Sequence, residues 1–225
     1  MTTESKVSVP ADIVNRLEET GIMAVLVIDD ASDAESVAQV LIENGIGGME
    51  LTLRTDAAID ALRAIRVSVP EMFAGVGTIL TKEQVVEAKN GGALFGVSPG
   101  YNRETVAAAA TFGLPFAPGV ATPSDIEGAY SQGCSILKYF HAEAMGGVEY
   151  LKAVNSPYKH LGFRYIPLGG VGVHNLRAYL ELKEVIAIGG SWIAPQELIK
   201  AKDWSSIARN AKEASKILRD VRGMP

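Results

Sequence analysis

Cysteine is nearly absent: Cys134 is the only one in 225 residues, so neither a disulfide framework nor a CxxC metal or redox pair can form. Positive charge is also short. Lys and Arg number 21 against 26 Asp and Glu, for a formal net charge of −5 and a pI near 5.3. With no basic run or basic-aromatic stripe, a surface for phosphate backbones is excluded. The three histidines, His141, His160 and His174, show no HxH or HxxxH spacing, so no metal site is expected; His160 is assigned to a helix–strand loop. No apolar run approaches the length of a membrane span, and the opening MTTESKVSVP lacks the apolar core of a signal peptide. Nor does a GxGxxG follow the first apolar run, where VIDDAS stands instead, and no Pro/Gly/Ser-rich linker divides the chain. These absences predict a soluble, cytoplasmic, single-domain protein over residues 1–225, with no nucleic-acid or membrane partner and no cofactor.

What is present is alternation. Short β-like runs fall at 23–28, 47–53, 72–79, 93–99, 115–121, 135–142, 164–170 and 185–192. Between them lie amphipathic stretches such as ASDAESVAQVLIENG and TDAAIDALRAIRVSV, with apolar residues at helical spacing. The run HNLRAYLELK is similar, and DWSSIARNAKEASKILRDVR makes a last helix. Eight βα units of this length predict an α/β protein, a (β/α)8 TIM barrel, with an extra N-terminal helix, ADIVNRLEET, ahead of the first strand. The other arrangement, an open doubly wound sheet, lacks its glycine fingerprint here. Of the Asp pair at 29–30, capping the following helix is as good a reading as cation binding.

In such a barrel the chemistry sits at the carboxyl ends of the strands. The second strand ends in ELTLR, where residues two apart share a face. Glu50, Thr52 and Arg54 therefore point to the interior or its mouth, and Leu51 and Leu53 to the helices. Thr78 closes the third strand. The turns SPG and PG close the fourth and fifth. In SILKYFHA a lysine, Lys138, sits in an apolar strand on the face of Ile136 and Phe140. The last two strands end in LGGVG and IGGSW, and paired glycines there suit phosphate, held by bare backbone N–H groups; Ser191 adds a hydroxyl.

Each feature has a plainer reading. A strand lysine can lie on an edge and extend its charge to water. Glu50 and Arg54 can form an ion pair closing the rim, and the Gly pairs can be tight turns. Their convergence on one end favours chemistry. Burial disfavours an ammonium and favours a neutral, nucleophilic amine, whose natural work is Schiff-base formation with a ketone or aldehyde. Glu50 can shuttle protons, Arg54 offers a fork for a carboxylate, Thr78 can assist, and the Gly pairs suit a distal phosphate. The fitting substrate is a small keto acid phosphate.

The motifs MELTLRT, GVGTIL, SPG, APGVAT, LKYFHAEAMGGVEYLKA, PLGGV and IGGSW, in order from about residue 10 to 215, resemble those of bacterial 2-keto-3-deoxy-6-phosphogluconate aldolases, also called 4-hydroxy-2-oxoglutarate aldolases. The resemblance implies a class I aldolase on a (β/α)8 barrel, a homotrimer that yields pyruvate and glyceraldehyde 3-phosphate. It makes Lys138 the Schiff-base lysine and Glu50 the general acid/base, with Arg54 and Thr78 at the pyruvyl carboxylate. Pro99, Pro118 and Phe140 match pocket-lining positions, and Gly169, Gly170, Gly190 and Ser191 match the phosphate end. Three positions depart from the family pattern. Val27 stands where many members have arginine, and His141 replaces a proline. Leu168 stands where the phosphogluconate enzymes have threonine and phosphogalactonate enzymes an aliphatic residue. Competing functions are a phosphogalactonate-preferring aldolase, a phosphate-binding barrel isomerase, which needs no buried lysine, and a non-catalytic sugar-acid phosphate binder.

Overall fold

Strands buried on both faces read as continuous apolar runs and belong to parallel sheets covered by helices. The computed structural model, which describes residues 6–223, has this α/β architecture. Its strands are β1 (Ile22–Leu26), β2 (Gly48–Thr52), β3 (Phe73–Gly77), β4 (Gly96–Val97), β5 (Phe116–Ala117), β6 (Gly119–Val120), β7 (Ile136–Phe140), β8 (Arg164–Leu168) and β9 (Ile188–Gly190). Helices alternate with them: α1 (Ala11–Thr20) precedes β1, and α2 (Ala34–Glu43), α3 (Ala58–Ser68), α4 (Lys82–Asn90), α5 (Arg103–Phe112), α6 (Pro123–Ser131), α7 (Gly147–Asn155), α8 (Leu176–Leu180), α9 (Gln196–Lys200) and α10 (Trp204–Arg222) follow in order.

All strand pairings are parallel, and the sheet curls. One ladder runs β5-β4-β3-β2-β1-β9 and a second runs β6-β7-β8. β9 lies beside β1 (Ala24 opposite Gly190), while Tyr165 of β8 bridges to Val185, just ahead of β9. The run expected as one strand over 115–121 is two, split at Pro118, which has no N–H for the ladder. Its carbonyl still accepts the backbone N–H of Lys138 at 2.9 Å. Next to it, Gly119 admits a close approach of chain: a Cβ there would lie 2.2 Å from the carbonyl oxygen of Pro99.

Capping explains where several helices start. Thr81–Gln84 and Thr122–Asp125 form reciprocal capping boxes for α4 and α6, and Asn102 caps α5, which ends at Gly113 in the left-handed region. Asp30 accepts from the Ser32 N–H at 2.9 Å and caps a 3-10 turn ahead of α2. Asp29 instead pairs with Lys200 and Gln196. His160 lies exposed in the connection between α7 and β8, within a second 3-10 turn, Ser156–Leu161.

Two hydrophobic layers result. The larger lies between the sheet and the helices, with Leu26, Leu51, Leu62, Val76 and Tyr139 among its members. The smaller lies inside the curl, where Met23, Phe73, Phe95, Ile136 and Ile166 meet Ile13 and Leu17 of α1. The amphipathic α1 thus seals the amino end of the strands with its apolar stripe. At the carboxyl end the interior becomes polar. Among the described residues, no helix is long and apolar enough to cross a membrane.

Candidate active site

Alternation along β2 and β7 sends Glu50 and Lys138 to the inner face, and the curl brings them together across 88 residues of sequence. Lys138 Nζ donates to Glu50 Oε1 at 3.0 Å and to Oε2 at 3.3 Å. Their side chains are only 5% and 1% exposed, so each charge depends on the other for solvation. The Phe140 ring adds a cation–π contact, its centroid 5.1 Å from Nζ. Glu50 has room because Gly77 faces it from β3; a Cβ at Gly77 would fall 1.8 Å from Oε1.

The pair lies in a cavity of ≈ 160 Å³ at the carboxyl end of the strands. Of the residues expected at the site, it brings together Glu50, Lys138, Arg54, Thr78, Pro99, Phe140, Leu168, Gly169 and Ser191. Val25, Thr52 and Gly189 complete its wall. Val25 sits opposite Glu50 in the ladder, and Thr52 donates its hydroxyl to the Leu26 carbonyl at 3.0 Å. Val27, two residues on from Val25, is not part of that wall. Three expected residues do not line the cavity. Pro118 contributes its carbonyl to β7, Gly170 is packed against Glu143, and Gly190 faces the Trp192 indole.

Thr78 has φ +61°, a conformation that a β-branched residue adopts at a cost of about 1–3 kcal/mol. The end of β3 therefore turns sharply at the cavity mouth. At the end of β4, Ser98 donates its hydroxyl to the Gly100 carbonyl at 2.7 Å and ties the SPG turn. Arg54 is exposed and stands between this cavity and an open one of ≈ 390 Å³ that Asp56 and Glu87 also line. On the far side, the Tyr179 hydroxyl donates to Glu143 Oε1 at 2.5 Å. Burial, then that hydrogen bond, pushes the Tyr179 phenol up and keeps it a donor. Burial also pushes the Cys134 thiol up to about 12, which makes it a core residue rather than a nucleophile.

A buried amine against a carboxylate, with a guanidinium and hydroxyls at the mouth, can form an imine with a keto acid and move protons beside it. The sequence matches the family model of KDPG and KHG aldolase over residues 13–210. The chain belongs to this aldolase family. The 2-dehydro-3-deoxy-phosphogluconate aldolase of Haemophilus influenzae is 41% identical over 92% of this chain and 97% of its own. A solved KDPG aldolase from Legionella pneumophila, with pyruvate captured as a covalent carbinolamine, superposes with a TM-score of 0.84 at 35% identity, covering 90% of this chain and 96% of that one. A Zymomonas mobilis 2-keto-3-deoxy-6-phosphogluconate aldolase, solved with 3-phosphoglycerate, gives 0.83 at 32% identity over 92% and 97%. Family membership fits a carbon–carbon lyase, and it fits a site in which a buried lysine and carboxylate share one cavity.

Proposed function

We propose that the protein is a class I aldolase cleaving 2-dehydro-3-deoxy-6-phosphogluconate to pyruvate and glyceraldehyde 3-phosphate through an imine on Lys138. The observation that carries this reading is the buried Lys138–Glu50 pair at the carboxyl end of the strands. A phosphate-binding isomerase has no use for that lysine, and a non-catalytic binder has no use for the pair.

The steps follow from the pair. Proton transfer from the ammonium of Lys138 to Glu50 leaves a neutral amine and a neutral acid. The amine attacks C2 of the keto acid, and the carbinolamine loses water as Glu50 returns the proton to the departing oxygen, leaving an iminium. The carboxylate then takes the proton of the C4 hydroxyl. The C3–C4 bond breaks, its electron pair passes to the iminium nitrogen as an enamine, and the aldehyde departs. Glu50 protonates C3, and water releases pyruvate and regenerates Lys138. Arg54 and Thr78 hold the pyruvyl carboxylate, Pro99 and Phe140 shape the pocket, and Gly169 and Ser191 receive the phosphate. The same machinery would cleave 4-hydroxy-2-oxoglutarate to pyruvate and glyoxylate.

We further propose that the strands form one closed (β/α)8 barrel, a single domain with α1 as its extra helix. The pairing of β9 with β1 and the bridge from β8 to Val185 support this. A cytoplasmic homotrimer rests on family resemblance. The test of the reaction is borohydride reduction with pyruvate: one pyruvyl mass is expected on the peptide containing Lys138. Labelling of another lysine, or none in active protein, would overturn the assignment.

Leu168 favours a second substrate within this reading. It lines the cavity, is 4% exposed and packs against Gly189, so no hydroxyl is offered where a threonine would present one. A neutral hydrogen bond contributes about 0.5–1.5 kcal/mol, up to roughly tenfold in discrimination. The expected result is weak preference between the gluconate and galactonate C4 epimers, or preference for the latter, with Leu168→Thr shifting kcat/KM toward the gluconate form. A wild-type gluconate preference above about a hundredfold, unchanged by the substitution, would show that another contact reads C4.

A further inference from the structure

The cavity that holds Lys138 and Glu50 reaches the surface at the exposed Arg54 and Ser191, so with the keto group on Lys138 the aldehyde half extends toward that mouth. With Arg54 on the carboxylate, Phe140, Gly169 and Ser191 are left to line the path of the aldehyde half. His141, which has no role in the reaction, adjoins two of them without itself lining the cavity. His141 follows Phe140 directly, and their ring centroids are 3.5 Å apart at 31°. A Cβ built on Gly169 would lie 3.0 Å from the Cα and 3.1 Å from the Cβ of His141, and 3.3 Å from Cε2 of Phe140. These three residues form one wall, and Gly169 at φ +93° is the residue that lets them close up.

The wall is also fixed in place. The backbone N–H groups of Ala142 and Glu143 donate to the carbonyls of Leu168 and Gly169 at 2.7 and 3.0 Å, pinning the turn after β7 to the turn after β8. His141 is exposed while Ala142 beside it is buried. Glu143, the acidic neighbour, is held by Tyr179. His174 lies at the other end of the glycine turn, its Nδ1 3.3 Å from a Cβ built on Gly172.

We propose that His141 is a specificity-determining residue: its imidazole N–H reaches the phosphate of the aldehyde half as that half passes Phe140 and Gly169. This rests on the aldolase reading and adds to it a side-chain donor where the glycines supply backbone only. Hydrogen bonds to charged groups are the stronger kind, so loss of the donor should be read selectively.

The test is kcat/KM in the synthesis direction, with pyruvate and either D-glyceraldehyde 3-phosphate or D-glyceraldehyde. His141→Ala is expected to lower the value about tenfold for the phosphorylated aldehyde and less than twofold for the other. His141→Gln, which keeps an N–H donor, should recover part of the loss, and His174→Gln should leave the ratio at its wild-type value. An equal fall with both aldehydes, an unchanged ratio, or the same shift in His174→Gln would overturn the contact. Exchange of pyruvate methyl protons with deuterated water in the wild-type protein separates the two levels. With exchange present, those outcomes remove only the role of His141; without it, the aldolase reading falls as well.

Discussion

Lys138→Ala should abolish turnover, with kcat/KM falling by several orders of magnitude, because no other group in the cavity can form the imine. It should also lower stability. Truncation strands the Glu50 carboxylate, 1% exposed, and breaking a buried ion pair from one side costs about 3–5 kcal/mol, less where the acid takes up a proton. Inactivity alone would then be ambiguous between lost chemistry and lost fold. The double variant Lys138→Ala/Glu50→Gln resolves this, since a neutral amide removes the stranded charge. Its thermal midpoint should recover toward wild type while turnover stays absent. Activity restored along with stability would mean that Lys138 serves the fold and another residue carries the chemistry.

Period-two alternation makes this pairing legible in the sequence alone. It places Glu50 and Thr52 on one face of β2, with Arg54 in the turn that follows, and Lys138 with Ile136 and Phe140 on β7; all but Ile136 line the cavity, while Ile136 lies deeper in the inner cluster. Polar residues in apolar strands announce themselves. Val25 and Gly189, which also line it, carry no such signal, since an aliphatic or a glycine in a strand looks like core. The paired glycines show the limit most directly. In IGGSW only one of the two can face inward. The structure turns Gly189 toward Leu168 and Gly190 toward Trp192, a choice set by register with β1 rather than by composition. The broken strand at Pro118 and the left-handed backbone of Thr78 are hidden for a related reason. Proline is tolerated where a strand can interrupt its ladder, and a β-branched residue at positive φ contradicts its own local preference. The signals around α1 are local ones, its apolar stripe and its flanking Pro10 and Gly21.

Glu50→Gln should separate binding from turnover. Glutamine keeps the shape of the side chain but cannot hold or release the proton that the C4 hydroxyl, the carbinolamine oxygen and C3 each need. Pyruvate binding, which needs no proton from Glu50, should persist. The expected result is pyruvate binding close to wild type, with borohydride trapping slowed and turnover and pyruvate methyl-proton exchange both reduced about 10²–10⁴-fold, the usual reach of a positioned acid/base. Gly77→Ala approaches the same point without removing any chemical group. Its Cβ would lie 1.8 Å from Glu50 Oε1, so the carboxylate must swing away from Lys138 while the lysine remains. Exchange should fall in this variant too, by less than in Glu50→Gln, because the carboxyl group is displaced rather than removed. Wild-type exchange in Glu50→Gln would assign proton transfer to another group. Wild-type exchange in Gly77→Ala alone would mean that the carboxylate acts from more than one position, and that contact with the lysine is not what makes it the acid.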